Sequence, residues 1–266
     1  MTALVAVDLD QTVLYSRRSA GDAGPCVVVE HLDGAPLSFM TAEAVTAYAE
    51  LAGRHLLVPV TTRTVEQYRR IALPAPTPYA VCANGGVLLR DGVVDLDWAG
   101  WVAAVVGAST PLAAVEARLR AVEDAPWVKL VRTAEQLFAY LVAQDRGAIP
   151  DAWLAGLVGE LGPLGWGVSV QGRKVYAVPD GLSKAAAVQR LALLSGSTMV
   201  LAAGDSLLDR PLLEHAVATG GAAVRPAHGE LHELAYAGAH VTAASGARAA
   251  AELLRWLAER ADALTR

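Results

Sequence analysis

Short apolar runs separated by helical patterns constrain the fold of this chain more than any other feature. The opening run ALVAV at 3–7 reads as a buried strand, and further strands are read in HLLVPVTT at 55–62, PYAVCANGG at 78–86 and TMVLAAGD at 198–205. A helical stretch follows Thr41 over about 41 to 53, another starts at Thr64 with Gln67 completing a capping box, a third starts near Ser183, and an amphipathic one closes the chain. Strands alternating with helices imply an α/β fold with a parallel, doubly wound, Rossmann-like sheet. Residues 16–36, rich in Gly, Asp, Ser and Pro around CVVVEHL, suggest a hairpin or flap beside the first strand's end.

Three of the runs stop on polar clusters, at the carboxyl ends where open α/β sheets bind ligands. Asp8 and Asp10 follow the first, Thr61, Thr62 and Arg63 stand at the end of the second, and GDSLLD occupies 204–209. Lys184 opens a helix in DGLSKAAAV. Two aspartates one residue apart repel, so a bound cation, a shared proton or solvent exposure must offset the cost. Each cluster alone suits an ordinary turn or cap. Together they offer carboxylates for a hard divalent ion, a hydroxyl, a cation and free helix amides, which is a site for a phosphoryl group.

The middle of the chain breaks the alternation. Residues 95–178 carry five of the six tryptophans (Trp98, Trp101, Trp127, Trp153 and Trp166), two longer helical patterns and the strand-like runs WVKLVR and GVSVQGRKVYAV. This reads as a small α+β insertion with its own core, the tryptophans packed inside it, between core segments 1–94 and 179–266. A hydrophobic share of 54% excludes disorder, and no run of 18 apolar residues lacks a polar break. With no signal-peptide pattern at the N-terminus, a cytoplasmic protein without a membrane partner is expected. The net charge of −5 argues against a nucleic-acid partner. Cys26 and Cys82 are too few for a disulfide framework and are expected as buried thiols.

The polar clusters resemble the four motifs of the haloacid dehalogenase-like phosphohydrolases. DLDQT is similar to the first motif, D-x-D-x-T, Thr61 to the second, Lys184 to the third, and Asp205 with Asp209 to the fourth. The place of the insertion resembles the type II cap of the subgroup with sugar-phosphate phosphatases, such as those acting on sucrose phosphate and mannosylglycerate phosphate. ANGG at 83–86 and VPDGLSK before the lysine resemble that subgroup too. The resemblance implies a phosphatase of a small phosphate ester, with Asp8 as nucleophile and Asp10 as acid and then base. It implies Mg2+ held by Asp8, the Asp10 carbonyl and Asp205, with Asp209 orienting Lys184 or a metal-bound water. Thr61 and Lys184 would hold phosphoryl oxygens. Arg63 and Asn84 are candidate substrate contacts, as are Arg132, Arg173 and Lys174 on the insertion, which would act as a closing cap. Where the family commonly has Asn this chain has Leu208, and Arg225 in AAVRPAHG is the candidate replacement.

Other readings stay open at this point. A phosphomutase shares these motifs, and a binding protein could use a degenerate version of them. GDSL at 204–207 also opens a family of serine esterases, with Ser206 as nucleophile, but no Asp-x-x-His follows. His228 and His232, four apart on an expected helix, suggest zinc but lack a third ligand in a recognisable pattern. The oligomeric state has no signature.

Overall fold

The computed structural model describes residues 2–265. The chain forms two compact units, Met1–Val94 with Lys184–Arg266, and Asp95–Ser183. The first unit therefore resumes at Lys184 rather than at 179.

The first unit is built on an eight-stranded sheet. Its order is His240–Val241, Ala222–Arg225, Val200–Ala203, Leu4–Asp8, Leu56–Val60, Tyr79–Cys82, Val87–Arg90 and Val93–Val94. The first six run parallel. The last two run antiparallel, which the alternation did not foretell. Their turn is an Asp-Gly pair, Asp91 at φ 49° and Gly92 at φ 76°, the backbone that a tight hairpin needs.

Leu4–Asp8 lies in the middle of the sheet and is buried throughout, which is why it reads as an unbroken apolar run. Val5 and Val7 join one cluster with Tyr48 and Leu51 of the helix Ala42–Ala52 and with Leu253, Leu254 and Leu257 of the helix Arg248–Leu264. Leu4 and Ala6 point to the opposite face and are equally buried. Helix Arg210–Ala218 packs on the strands Val200–Ala203 and Ala222–Arg225 and against the helix Lys184–Ser195. The expected caps are present: Thr41 accepts from the Ala44 N–H, and Thr64 exchanges bonds with Gln67.

The flap is a hairpin of Cys26–Leu32 with Ala35–Thr41, preceded by a short helix at Arg17–Ala20. Its turn is again Asp-Gly, with Asp33 at φ 52° and Gly34 at φ 77°. The second arm runs past residue 36 to Thr41 because Phe39 and Met40 are buried. Cys82 is buried as expected, but Cys26 on this hairpin is only half-buried.

The second unit has a four-stranded antiparallel sheet in the order Trp166–Gln171, Lys174–Pro179, Phe138–Ala143 and Val128–Ala134. Three helices accompany it, Leu96–Gly107, Leu112–Arg120 and Asp151–Leu161. Trp98 and Trp166 are buried, and the Trp166 indole donates to the Thr110 carbonyl. Trp101 departs from the expected core: it stacks on Trp98 but is 42% exposed. Among the described residues no single helix is long and apolar enough to cross a membrane.

Candidate active site

Asp8 is the last residue of the central strand, and its carboxylate is buried. One oxygen accepts from Lys184 Nζ at 2.6 Å and the other from the Thr12 hydroxyl at 2.9 Å. Thr12 reaches back because the chain turns sharply: the Leu9 carbonyl accepts from the N–H groups of Thr12, Val13 and Leu14, and Gln11 sits at φ 63°. The buried Tyr15 hydroxyl, donating to the Gln11 or Thr12 carbonyl, braces that turn.

Lys184 opens its helix fully buried and bonds both Asp8 and Asp209, the latter at 2.5 Å. Burial opposes its charge, but Asp209 and Asp8 outweigh it and raise the ammonium above the ordinary lysine range. Asp209's second oxygen accepts from the Asp205 and Ser206 N–H groups and from the Ser206 hydroxyl. Gly204 makes that possible, since a Cβ there would overlap Asp209's Cβ and Cγ. Gly229 does the same for Asp205.

The carboxylates are crowded. Burial, with Asp209 adding to it, pushes the Asp8 carboxyl up to about 7 against the pull of Lys184. Burial, with Asp8 and Asp209, pushes Asp205 well above the carboxylate range. Asp205 Oδ1 is buried without a hydrogen-bond partner, and Asp8, Asp205 and Asp209 each offer an oxygen within 4.8 Å of the others. An orphaned buried oxygen among oxygen donors of excess negative charge fits a hard divalent cation such as Mg2+. Both Asp209 oxygens are already engaged, which suits it to orienting Lys184.

Thr61 follows Val60, the register partner of Asp8. Its hydroxyl accepts from the Arg63 N–H and its carbonyl from the Asn84 N–H. Ala83, Asn84 and Gly85 are all left-handed, at φ 48°, 54° and 97°, a strained run that the bonds to Thr61 and Arg63 hold in place.

Solved structures match the chain over nearly its full length, whereas no family profile and no curated protein does. Sucrose-phosphatase from Synechocystis, in complex with sucrose and phosphate, is 17% identical at a TM-score of 0.62, covering 97% of this chain and 98% of that one. The trehalose-6-phosphate phosphatase C-terminal domain from C. albicans is 14% identical at 0.59, covering 97% and 92%. A haloacid dehalogenase-like hydrolase from B. subtilis is 17% identical at 0.57, covering 96% and 100%. The chain has the haloacid dehalogenase-like fold.

On this haloacid dehalogenase-like core, the side chains of Asp8, Lys184, Asp205 and Asp209 converge. Arg63 forks onto Asp10, with Nε and Nη2 each 2.8 Å from a carboxylate oxygen, and also bonds Glu30 through Nη1 and Ser38 through Nη2. Arg225 is buried, and its guanidinium meets the Tyr236 and Pro226 carbonyls and His232 rather than the carboxylates. Leu208 is half-buried in the turn after Ser206. Ser206 donates to Asp209, and no histidine bonds it among the described residues. His228 precedes the short helix Glu230–Glu233 and spends both nitrogens on the Gln11 carbonyl and the Gly246 N–H, so it does not converge with His232. Thr12 and Glu30 escaped the sequence reading. Thr12 closes the D-x-D-x-T motif, and Glu30 is a charge inside an apolar strand, so each had a signal.

Proposed function

We propose that this chain is a phosphatase of small phosphorylated metabolites, sugar phosphates in particular, that requires Mg2+ and works through an aspartyl phosphate on Asp8. The observation that carries it is the buried Asp8 carboxylate at the sheet's carboxyl end, paired to Lys184 and beside the unpartnered oxygen of Asp205. Two of the similar structures are a sucrose-phosphatase and a trehalose-6-phosphate phosphatase domain, which supports the substrate class.

Asp8 and Asp205 would hold Mg2+, which when bound offsets negative charge on the carboxylates and the phosphate ester. The ionised Asp8 carboxylate attacks phosphorus, forming the Oδ–P bond as the bond to the leaving oxygen breaks. Asp10 gives that oxygen a proton. As a base, Asp10 then takes a proton from water, whose oxygen attacks phosphorus. The Oδ–P bond breaks and phosphate leaves. Lys184 and the Thr61 hydroxyl hold phosphoryl oxygens in line, and Asp209 keeps Lys184 in place.

The test measures phosphate release from p-nitrophenyl phosphate and a panel of sugar phosphates, with Mg2+ and with chelator. Turnover with Mg2+ only, fastest on a sugar phosphate and lost in Asp8→Asn, is expected. Protein inert on every ester in Mg2+ refutes the reading.

A further inference from the structure

We propose that Glu30, buried in the flap hairpin, is a positioning residue for Asp10 and acts through Arg63. The proposal rests on the reading of Asp10 as acid and base. Glu30 lies on the strand Cys26–Leu32 with its side chain wholly buried. A buried carboxylate is costly unless it is paired. Here one oxygen accepts from Arg63 Nη1 at 2.7 Å and from the Ser38 hydroxyl at 2.5 Å, and the other from Arg70 Nε at 3.3 Å.

The opposite edge of the same guanidinium forks onto Asp10. A guanidinium is planar and rigid, so anchoring one edge sets where the other points. Arg63 is 11% exposed, and four of its five donors are spent on Asp10, Glu30 and Ser38. With the Asp10 fork intact, only one Nη1 N–H of Arg63 is left outside these bonds. Asp10's side chain, by contrast, is 29% exposed, so the chain of contacts runs from a dry anchor in the hairpin to a partly exposed carboxylate. The hairpin thus sets the position of the group that must meet the leaving oxygen.

Glu30→Gln keeps the shape and removes the charge. Proton donation matters for an alkoxide leaving group and little for p-nitrophenolate, and kcat/KM reads the step in which the ester bond breaks. The experiment measures kcat/KM on 2-glycerol phosphate and on p-nitrophenyl phosphate, with melting to establish that each variant is folded. The loss on 2-glycerol phosphate is expected to exceed that on p-nitrophenyl phosphate by about 10- to 150-fold, the worth of a hydrogen bond to a charged group. Arg63→Lys, which keeps the charge and loses the fork, should skew the same way and decides the matter if Glu30→Gln does not fold. Equal losses on both esters overturn the assignment. Wild-type protein inert on both esters and on every sugar phosphate of the panel overturns the phosphatase reading and the assignment with it, whereas active wild-type protein with unskewed variants overturns the assignment alone.

Discussion

Replacing Asp8 with Asn should abolish turnover and yet stabilise the metal-free protein at neutral pH. The folded environment raises the Asp8 carboxyl from its ordinary 3.8 to about 7, through burial first and Asp209 second, against Lys184. The folded state therefore holds the Asp8 proton more tightly than the unfolded chain does. The stability this lends is complete below pH 3.8 and is lost as pH rises through about 7. At ~1.4 kcal/mol per pH unit, the rise from 3.8 to about 7 corresponds to on the order of 4 kcal/mol. Asn cannot ionise, so Asp8→Asn escapes this loss. Thermal melting in chelator from pH 4 to 8.5 checks it. The two proteins should melt together near pH 4 and diverge as pH rises, with the variant on the order of 10 °C higher at pH 8. A variant equal to or less stable than wild type at pH 8, with no pH trend in the difference, would refute the claim that the nucleophile sits in a site unfavourable to its own charge.

Gly204→Ala places a Cβ into Asp209 and should displace it from Lys184, costing ~1–3 kcal/mol by overpacking and at least tenfold in turnover. Melting together with the Mg2+ assay reads both, and unchanged values would show that Asp209 has room to move. Burial lowers the His228 pKa, so the folded state binds that proton less tightly than the unfolded chain, and stability present above about pH 6.5 falls as the pH drops. His228→Gln, which can still donate and accept, should melt with a shallower decline between pH 7 and 5, and parallel slopes would remove His228 from the acid response.

The alternation of strands and helices was legible in the sequence because each rule behind it is local. A strand buried on both faces must be apolar throughout, a helix start needs a cap, and a sheet's chemistry gathers where its strands end. The same locality marked Asp8, Thr61, Lys184, Asp205 and Asp209 as a group, and the four charged side chains meet in the structure. Other features were not local. FAYLVA at Phe138–Ala143 is an apolar run without alternation, a pattern that strand and helix share, and only pairing with its neighbours made it a strand. Arg225 follows a core strand as a phosphate-binding cation would, but its guanidinium is taken by the loop it precedes. Arg63 read as a substrate contact because it stands in a loop after a strand. What turned it inward is Glu30, 33 residues earlier, whose burial in the hairpin demanded a cation. The sequence determines which residues carry charge and where the central parallel strands give way to polar clusters. Which charges face one another is decided by the tertiary structure, because desolvated ions must find partners among whatever side chains the packed elements bring within reach.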